Sequence, residues 1–421
     1  MSATTGIAAD LFRREGSRIV MALTAQLGVH RLPLAEDAVQ EALVRAMQTW
    51  PYRGIPANPG AWLTQTAKNV ALDFLRREQR WNAKQDSIAA EHERWLSTPP
   101  GNETGETLVD DTLRMMFVCF HPQLSIEAQN ALALRIVCGL SAAEIAAAYL
   151  TTEAAIAKRL VRARQRIREL ELPFAVPEAR DLPERLDGVL QALYLLFNEG
   201  YKASGGDQLI RADLCHEAIR LIALLCDHPA TQAPRCFALH ALMCLNASRL
   251  SARLDDGGNL LRLHEQARHT WDHALIQQGI ASLARSATGD ALSTYHLEAG
   301  IAACHALAAD DQSTDWPRIL SLYDQLLTLT NSPVTGLNRA IAISRVHGPQ
   351  AGLNALNEIN RRGTLETYHL YHATRGTFHA ELGESKPALT HFNQAAILVT
   401  LPAEKEFIAR RIREITGGSN H

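Results

Sequence analysis

The chain has 421 residues, of which 47% are apolar and 6% aromatic, and a formal net charge of −3. That length and apolar content support two to four packed domains, and the near-neutral charge excludes a protein that coats nucleic acid by bulk basicity. Seven cysteines without a CxxC pair give no disulfide or zinc framework, no signal pattern opens the chain, and no apolar run reaches the length of a membrane span. A reducing, cytoplasmic location and no membrane association are expected.

Alanine and leucine dominate segments with helical periodicity, so the fold class expected is all-α. Residues 7–28 predict an amphipathic helix with Leu11, Phe12, Ile19, Leu23 and Leu27 facing a core. After a connection near Pro33, residues 35–49 predict a second helix. It carries an acidic stripe of Glu36, Asp37, Gln40 and Glu41, with Ala38, Val39, Ala42, Leu43 and Met47 to pack. The stretch 50–60, WPYRGIPANPG, predicts a loop from its three prolines and two glycines. A helix over 61–84 follows, with Leu63, Ala67, Val70, Leu72, Phe74 and Leu75 expected inward. Lys68, Arg76, Arg77, Arg80 and Lys84 can face phosphates, and Trp62, Trp81, Gln65, Thr66 and Asn69 can stack on or hydrogen-bond bases.

Residues 97–107, STPPGNETGET, read as a flexible linker. Helices then resume, with Leu113, Met116, Phe117 and Phe120 in one and Ala128, Leu132, Leu134 and Ile136 in the next. Ser141 and Glu144 have the spacing of a capping box, and Thr152 can cap another helix after a break at 149–151. On that helix Ile156, Leu160, Ala163 and Ile167 mark a buried stripe. Its other faces carry Lys158, Arg159, Arg162, Arg164, Arg166 and Arg168, with no acid between Ala154 and Arg168. A basic second helix after a tight turn is the arrangement that enters a DNA major groove.

Three stretches, in order, resemble the extracytoplasmic-function type of bacterial RNA polymerase sigma factor. AEDAVQEALVRAMQTW resembles the region that docks on the polymerase, PGAWLTQTAKNVALDFLRRE the region that melts and reads the −10 element, and EIAAAYLTTEAAIAKRLVRARQRI the region that reads the −35 element. The resemblance implies that Asp37, Gln40 and Glu41 contact core polymerase. It places Asn69, Asp73, Arg76 and Arg77 on the −10 helix, where Trp62, Thr66 and Lys68 join them. It places Thr152, Ala155, Lys158, Arg159 and Arg162 on the −35 helix, with Arg164 adding to its basic face. The implied partners are core RNA polymerase and promoter DNA.

The expected domains are sigma region 2 over 1–88, a linker over 89–107, sigma region 4 over 108–172, a Pro-containing spacer over 173–184 and a helical domain over 185–421. In that last part, helices are expected at 186–200, 209–226, 234–254, 258–278, 291–309, 316–329, 334–346, 349–360, 366–382 and 385–398. Gly376, Gly383, Ala388, Phe392 and Ala395 fall at the offsets of a TPR consensus. Ala340, Ala342, Gly348 and Leu353 echo them one period of about 34 earlier, so a TPR-like regulatory domain that receives a protein or peptide is expected. Cys236, His240 and Cys244 share a helix face but sit among Phe237, Leu239, Leu242 and Leu245, which reads as core and not as a metal site. No HExxH, P-loop or GxSxG motif occurs, so no catalysis and no cofactor is expected. The two alternatives are a DNA-binding regulator that never joins polymerase and a helical-repeat adaptor.

Overall fold

A computed structural model describes residues 2–81, 105–149, 151–201, 210–255, 257–289, 291–359, 365–399 and 401–417. Of the expected linker over 89–107, residues 89–104 lie outside these residues, as do Leu150 in the expected break at 149–151 and Lys84 of the expected helix over 61–84; residues 105–107 are helical. Helices account for nearly all the described structure; the single β-bridge joins Leu254 and Leu260. The chain divides into two compact units, Met1–Leu193 and Tyr194–His421.

The first unit opens with α1 (Ser2–Leu27), α2 (Leu32–Arg53) and α3 (Pro59–Trp81). Gly28 ends α1 at φ +83°, a value that favours glycine, and Pro33 sits in the first turn of α2. The loop expected over 50–60 shrinks to 54–58. Pro51 lies inside the last turn of α2, and the helix closes when the Gly54 amide, at φ +82°, donates to the Trp50 carbonyl at 3.0 Å. The proline is tolerated because it forfeits only one bond near the helix end.

Next come α4 (Gly105–Cys119), α5 (Ile126–Leu132), α6 (Ala142–Ala148) and α7 (Glu153–Glu169). A π-turn, Ala133–Val137, extends α5, and Gly139 at φ +70° turns the chain into α6. The capping box forms in full. The Ser141 hydroxyl accepts from the Glu144 amide at 3.1 Å, and the Ser141 amide donates to the Glu144 carboxylate at 2.7 Å. The Thr152 hydroxyl accepts from the Ala155 amide at 3.2 Å and starts α7. Each cap contributes about 1 kcal/mol. Ile156, Leu160, Ala163 and Ile167 are all buried, as their spacing requires, and anchor α7 against α5 and α6.

The second unit is built from successive neighbouring helices. The helix α8 (Leu182–Tyr201) contains the boundary between the units, and α9 (Ala212–Asp227) and α10 (Pro234–Ala247) follow. The core helix is α10, buried from Cys236 to Leu245. It meets α11 (His273–Ser286) at Gly279, where a Cβ would lie 2.7 Å from Leu245 Cγ. The expected helix over 258–278 forms only from His273 onward. Asp255 instead accepts from the Gly257 and Asn259 amides, two short 3-10 turns follow, and Asp272 caps α11. Arg268 fixes this irregular segment by donating to the His305 and Ala308 carbonyls at 2.8 and 2.9 Å.

Successive neighbours continue with α12 (Thr294–Leu307), α13 (Trp316–Thr330), α14 (Pro333–His347), α15 (Pro349–Ile359), α16 (His369–Glu381) and α17 (Ser385–Leu398). A further helix, α18 (Pro402–Gly417), was not expected; Ile408 is buried, and Phe407, Ile412 and Ile415 pack beside the Phe392 cluster. Among the described residues no helix is long and apolar enough to cross a membrane.

Candidate nucleic-acid interface

Two basic helices and one acidic face carry the site in the first unit. On α7, Thr152, Ala155, Lys158 and Arg162 are exposed and Arg159 is half-buried. Ala155, Lys158, Arg159 and Arg162 recur at i, i+3, i+4 and i+7, so they share one face opposite the buried stripe. Lys158 and Arg162 make no ion pair among the described residues. Their charges remain available to phosphates.

Arg164 departs from the expectation. It lies four residues after buried Leu160, on the flank of the buried stripe, and its guanidinium donates to Glu36 Oε1 of α2 at 2.6 Å. Arg166 is exposed and bonds Glu169 and Gln123 at the surface.

On α3 the buried stripe is Leu63, Ala67, Ala71 and Leu75. Asn69, Asp73, Arg76 and Arg77 are exposed together on the other side. Thr66 is half-buried, and its hydroxyl donates to the Trp62 carbonyl at 2.8 Å. Trp62 is half-buried with its ring edge-on to Trp50, centroids 5.5 Å apart, so it anchors the base of the 54–58 loop. Two expectations fail here. Lys68 is only 4% exposed and does not face solvent, because it follows buried Thr64 by one helical turn. Phe74, expected inward, is 50% exposed, one position off the stripe.

The acidic face of α2 also divides. Asp37, Gln40 and Glu41 are exposed, and Glu41 accepts from Arg45 at 2.8 Å. Glu36 is not part of that solvated face. It follows buried Leu32 by four residues and is itself buried. Met47, expected to pack, is exposed along with Val44, which leaves apolar surface beside the carboxylates. Tyr52 and Ile55, in and beside the 54–58 loop, are the most open large side chains near α3, and the sequence reading overlooked both. Their position between two helix ends, next to prolines, was the available signal.

In the second unit the Cys236, His240 and Cys244 group is buried core. His240 Nδ1 meets Ser282 Oγ at 2.7 Å, Cys244 Sγ lies 3.6 Å from His240 Nε2, and burial pushes the Cys244 thiol up to about 12. Among the described residues no group of three or more His, Cys, Asp or Glu side chains is arranged to hold a metal.

Comparison with known proteins agrees with this geometry. Residues 11–81 match the Sigma-70 region 2 family and residues 114–167 match Sigma-70, region 4. Each match ends within a few residues of the helices just described, so the chain carries a sigma-70 region 2 domain and a sigma-70 region 4 domain, in that order. Residues 185–287 match a family of unknown function, DUF6596. An uncharacterized protein, R00370, of Rhizobium meliloti (strain 1021) is 39% identical over 383 residues, covering 90% of both chains, and this chain belongs to the same family. No solved structure matches.

Proposed function

We propose that this chain binds core RNA polymerase and directs it to initiate transcription at particular promoters. The observation that carries the reading is the pair of exposed basic helix faces, on α3 and α7, on one chain with the exposed Asp37, Gln40 and Glu41 face of α2. Phosphate contacts by Arg76, Arg77, Lys158 and Arg162 supply salt-dependent affinity, and Asn69 and Arg159 reach base edges. Asp73 lies on the same −10 face, and Thr152 and Ala155 place the first turn of α7 against the −35 groove. The exposed aromatics Phe74 and Tyr52 offer stacking surfaces for unpaired bases. A DNA-binding regulator that never joins polymerase has no use for the mixed acidic and apolar face of α2.

The second unit is read as a TPR-like domain that modulates this activity. Small residues sit at close helix approaches, as at Gly376 against the Phe392 ring at 3.0 Å and Gly352 against the Phe378 ring at 2.7 Å for an added Cβ. A cavity of about 400 Å³, lined by Trp316, Tyr323, Asn338, Arg345 and Phe378 among others, is a suitable seat for a regulatory protein segment or peptide.

The test is binding to purified core polymerase. Charge reversal of Asp37 and Glu41 to Lys is expected to weaken binding by tenfold or more (about 1.4 kcal/mol or greater) at unchanged helix content. Unchanged affinity would mean that the face is merely solvated and that the polymerase reading fails.

A further inference from the structure

Glu36 and Arg164 are separated by 128 residues, one in the region 2 match and one in the region 4 match, yet their side chains meet at 2.6 Å. The Arg135 guanidinium lies 3.6 Å from the same carboxylate oxygen and also donates to the Leu140 carbonyl at 3.1 Å. Glu36 is 8% exposed, and its second oxygen is buried without a hydrogen-bond partner, as is Nε of Arg164. A carboxylate so far removed from water is held there by its cations, and separating it from them would leave a buried charge uncompensated unless water or another partner replaces them.

The surroundings show what is fixed. Region 2 meets region 4 where α1 touches α4 and the 133–137 π-turn, and where the 29–31 turn touches α7. Beside the ion pair the two regions separate around a cleft of about 730 Å³, with Val39, Gln40 and Leu43 on one wall and Ala157, Leu160 and Val161 on the other. The regions are therefore clasped at Glu36 but not packed continuously.

Such a clasp conflicts with reading two DNA elements at once. A compact unit of 193 residues has a radius of gyration of about 16 Å. The −10 and −35 elements are centred about 25 base pairs apart, or roughly 85 Å at 3.4 Å per pair. Regions 2 and 4 must part to occupy both, and parting breaks the Glu36 contact. Arg164 then exchanges its single bond to a carboxylate oxygen for one to a phosphate oxygen, an acceptor of the same charge-assisted kind.

We propose that Glu36 is an internal phosphate mimic that clasps region 4 onto region 2 and masks Arg164 and Arg135 from DNA until the two regions separate. This rests on the reading of α7 as a DNA-binding helix. The free protein then binds DNA with fewer cations than it possesses.

The experiment measures binding of the full chain, without polymerase, to a labelled mixed-sequence duplex of about 30 base pairs across a salt series, since each phosphate engaged adds about 0.9 to the slope of log K against log salt. Glu36→Gln and Glu36→Asp, the second too short to reach Arg164 but still charged, are expected to steepen the slope by about 1 to 2. Glu178→Gln removes an exposed carboxylate elsewhere and is expected to leave the slope alone. Circular dichroism identifies which Glu36 variant is folded, and either folded variant decides the question. An unchanged slope in the folded variant, with Arg162→Ala still weakening binding, would overturn the clasp and leave the DNA reading intact. If Arg162→Ala has no effect, the DNA reading itself fails and the clasp falls with it.

Discussion

His391 stands in a chain of imidazoles in which each proton has a place. His372 Nε2–H donates to the Glu366 carbonyl at 2.9 Å, so its Nδ1 accepts from His391 Nδ1–H at 3.4 Å, and His391 Nε2 accepts from Arg375 at 3.2 Å. Burial first, then Arg375, His372 and His379, lower the His391 pKa from 6.5 to about 4. The folded protein holds it neutral while the unfolded chain takes up a proton below pH 6.5. Stability is thus fully present above pH 6.5 and is lost as pH falls towards 4. His305, lowered to about 3 chiefly by burial, adds to the same slope. Thermal melts in a pH series are expected to show a falling midpoint over that window, shallower in His391→Gln; an identical dependence in the variant would contradict the assignment. On α7 the residue-scale expectation concerns Arg159, in the first two turns of the helix, the part with which a recognition helix reaches base edges under the proposed function. Arg159→Ala is expected to lower the ratio of specific to non-specific promoter binding about tenfold, within the 1–3 kcal/mol of one bidentate base contact. Arg168→Ala is expected to change only the salt slope. Equal losses on all sequences from Arg159→Ala would reassign it to phosphate.

At the scale of elements, close approach decides where substitution is tolerated. A Cβ at Gly352 would lie 2.7 Å from the Phe378 ring and 2.8 Å from Ser344 Cβ, so α15 touches both α16 and α14 there. Gly352→Ala is expected to destabilise by about 1–3 kcal/mol through overpacking, despite the better helix propensity of alanine. Gly188→Ala, on α8 with nothing within 4 Å, is the matched control and is expected to be neutral or stabilising; chemical denaturation compares them. Helices with a strict apolar stripe were legible in the sequence. Ile156, Leu160, Ala163 and Ile167 fixed the buried face of α7, and Ser141 with Glu144 fixed the start of α6. The segment 258–272 was not, because its helical periodicity competes with Asp255, Gly257, Gly258 and Asn259, whose turn hydrogen bonds prevail. The exposed side of α2 was legible residue by residue only for Asp37, Gln40 and Glu41. Glu36 reads as one more surface acid until Arg164, 128 residues away, is placed beside it. A pairing of that kind leaves no local periodicity to detect. Lys68 and Phe74 were misjudged for a related reason: each lies one position from the edge of a stripe, where a 100° step per residue separates buried from open.

Across the whole molecule, charge and contact are distributed by task. A net charge of −3 conceals two helices with exposed cations, α3 and α7, and a separate acidic face on α2. Such a distribution supports binding to two partners of different character, one nucleic acid and one protein, and it underlies the central claim that the chain turns polymerase into a promoter-specific enzyme. The most direct measurement is run-off transcription by purified core polymerase on a promoter library, with and without the full chain. The account predicts transcripts from a restricted set of templates that appear only when the chain is added, and that are lost with Asp37 and Glu41 reversed to Lys. Promoter DNA binding by the chain alone, with no transcript from any template and no association with core polymerase, would contradict it.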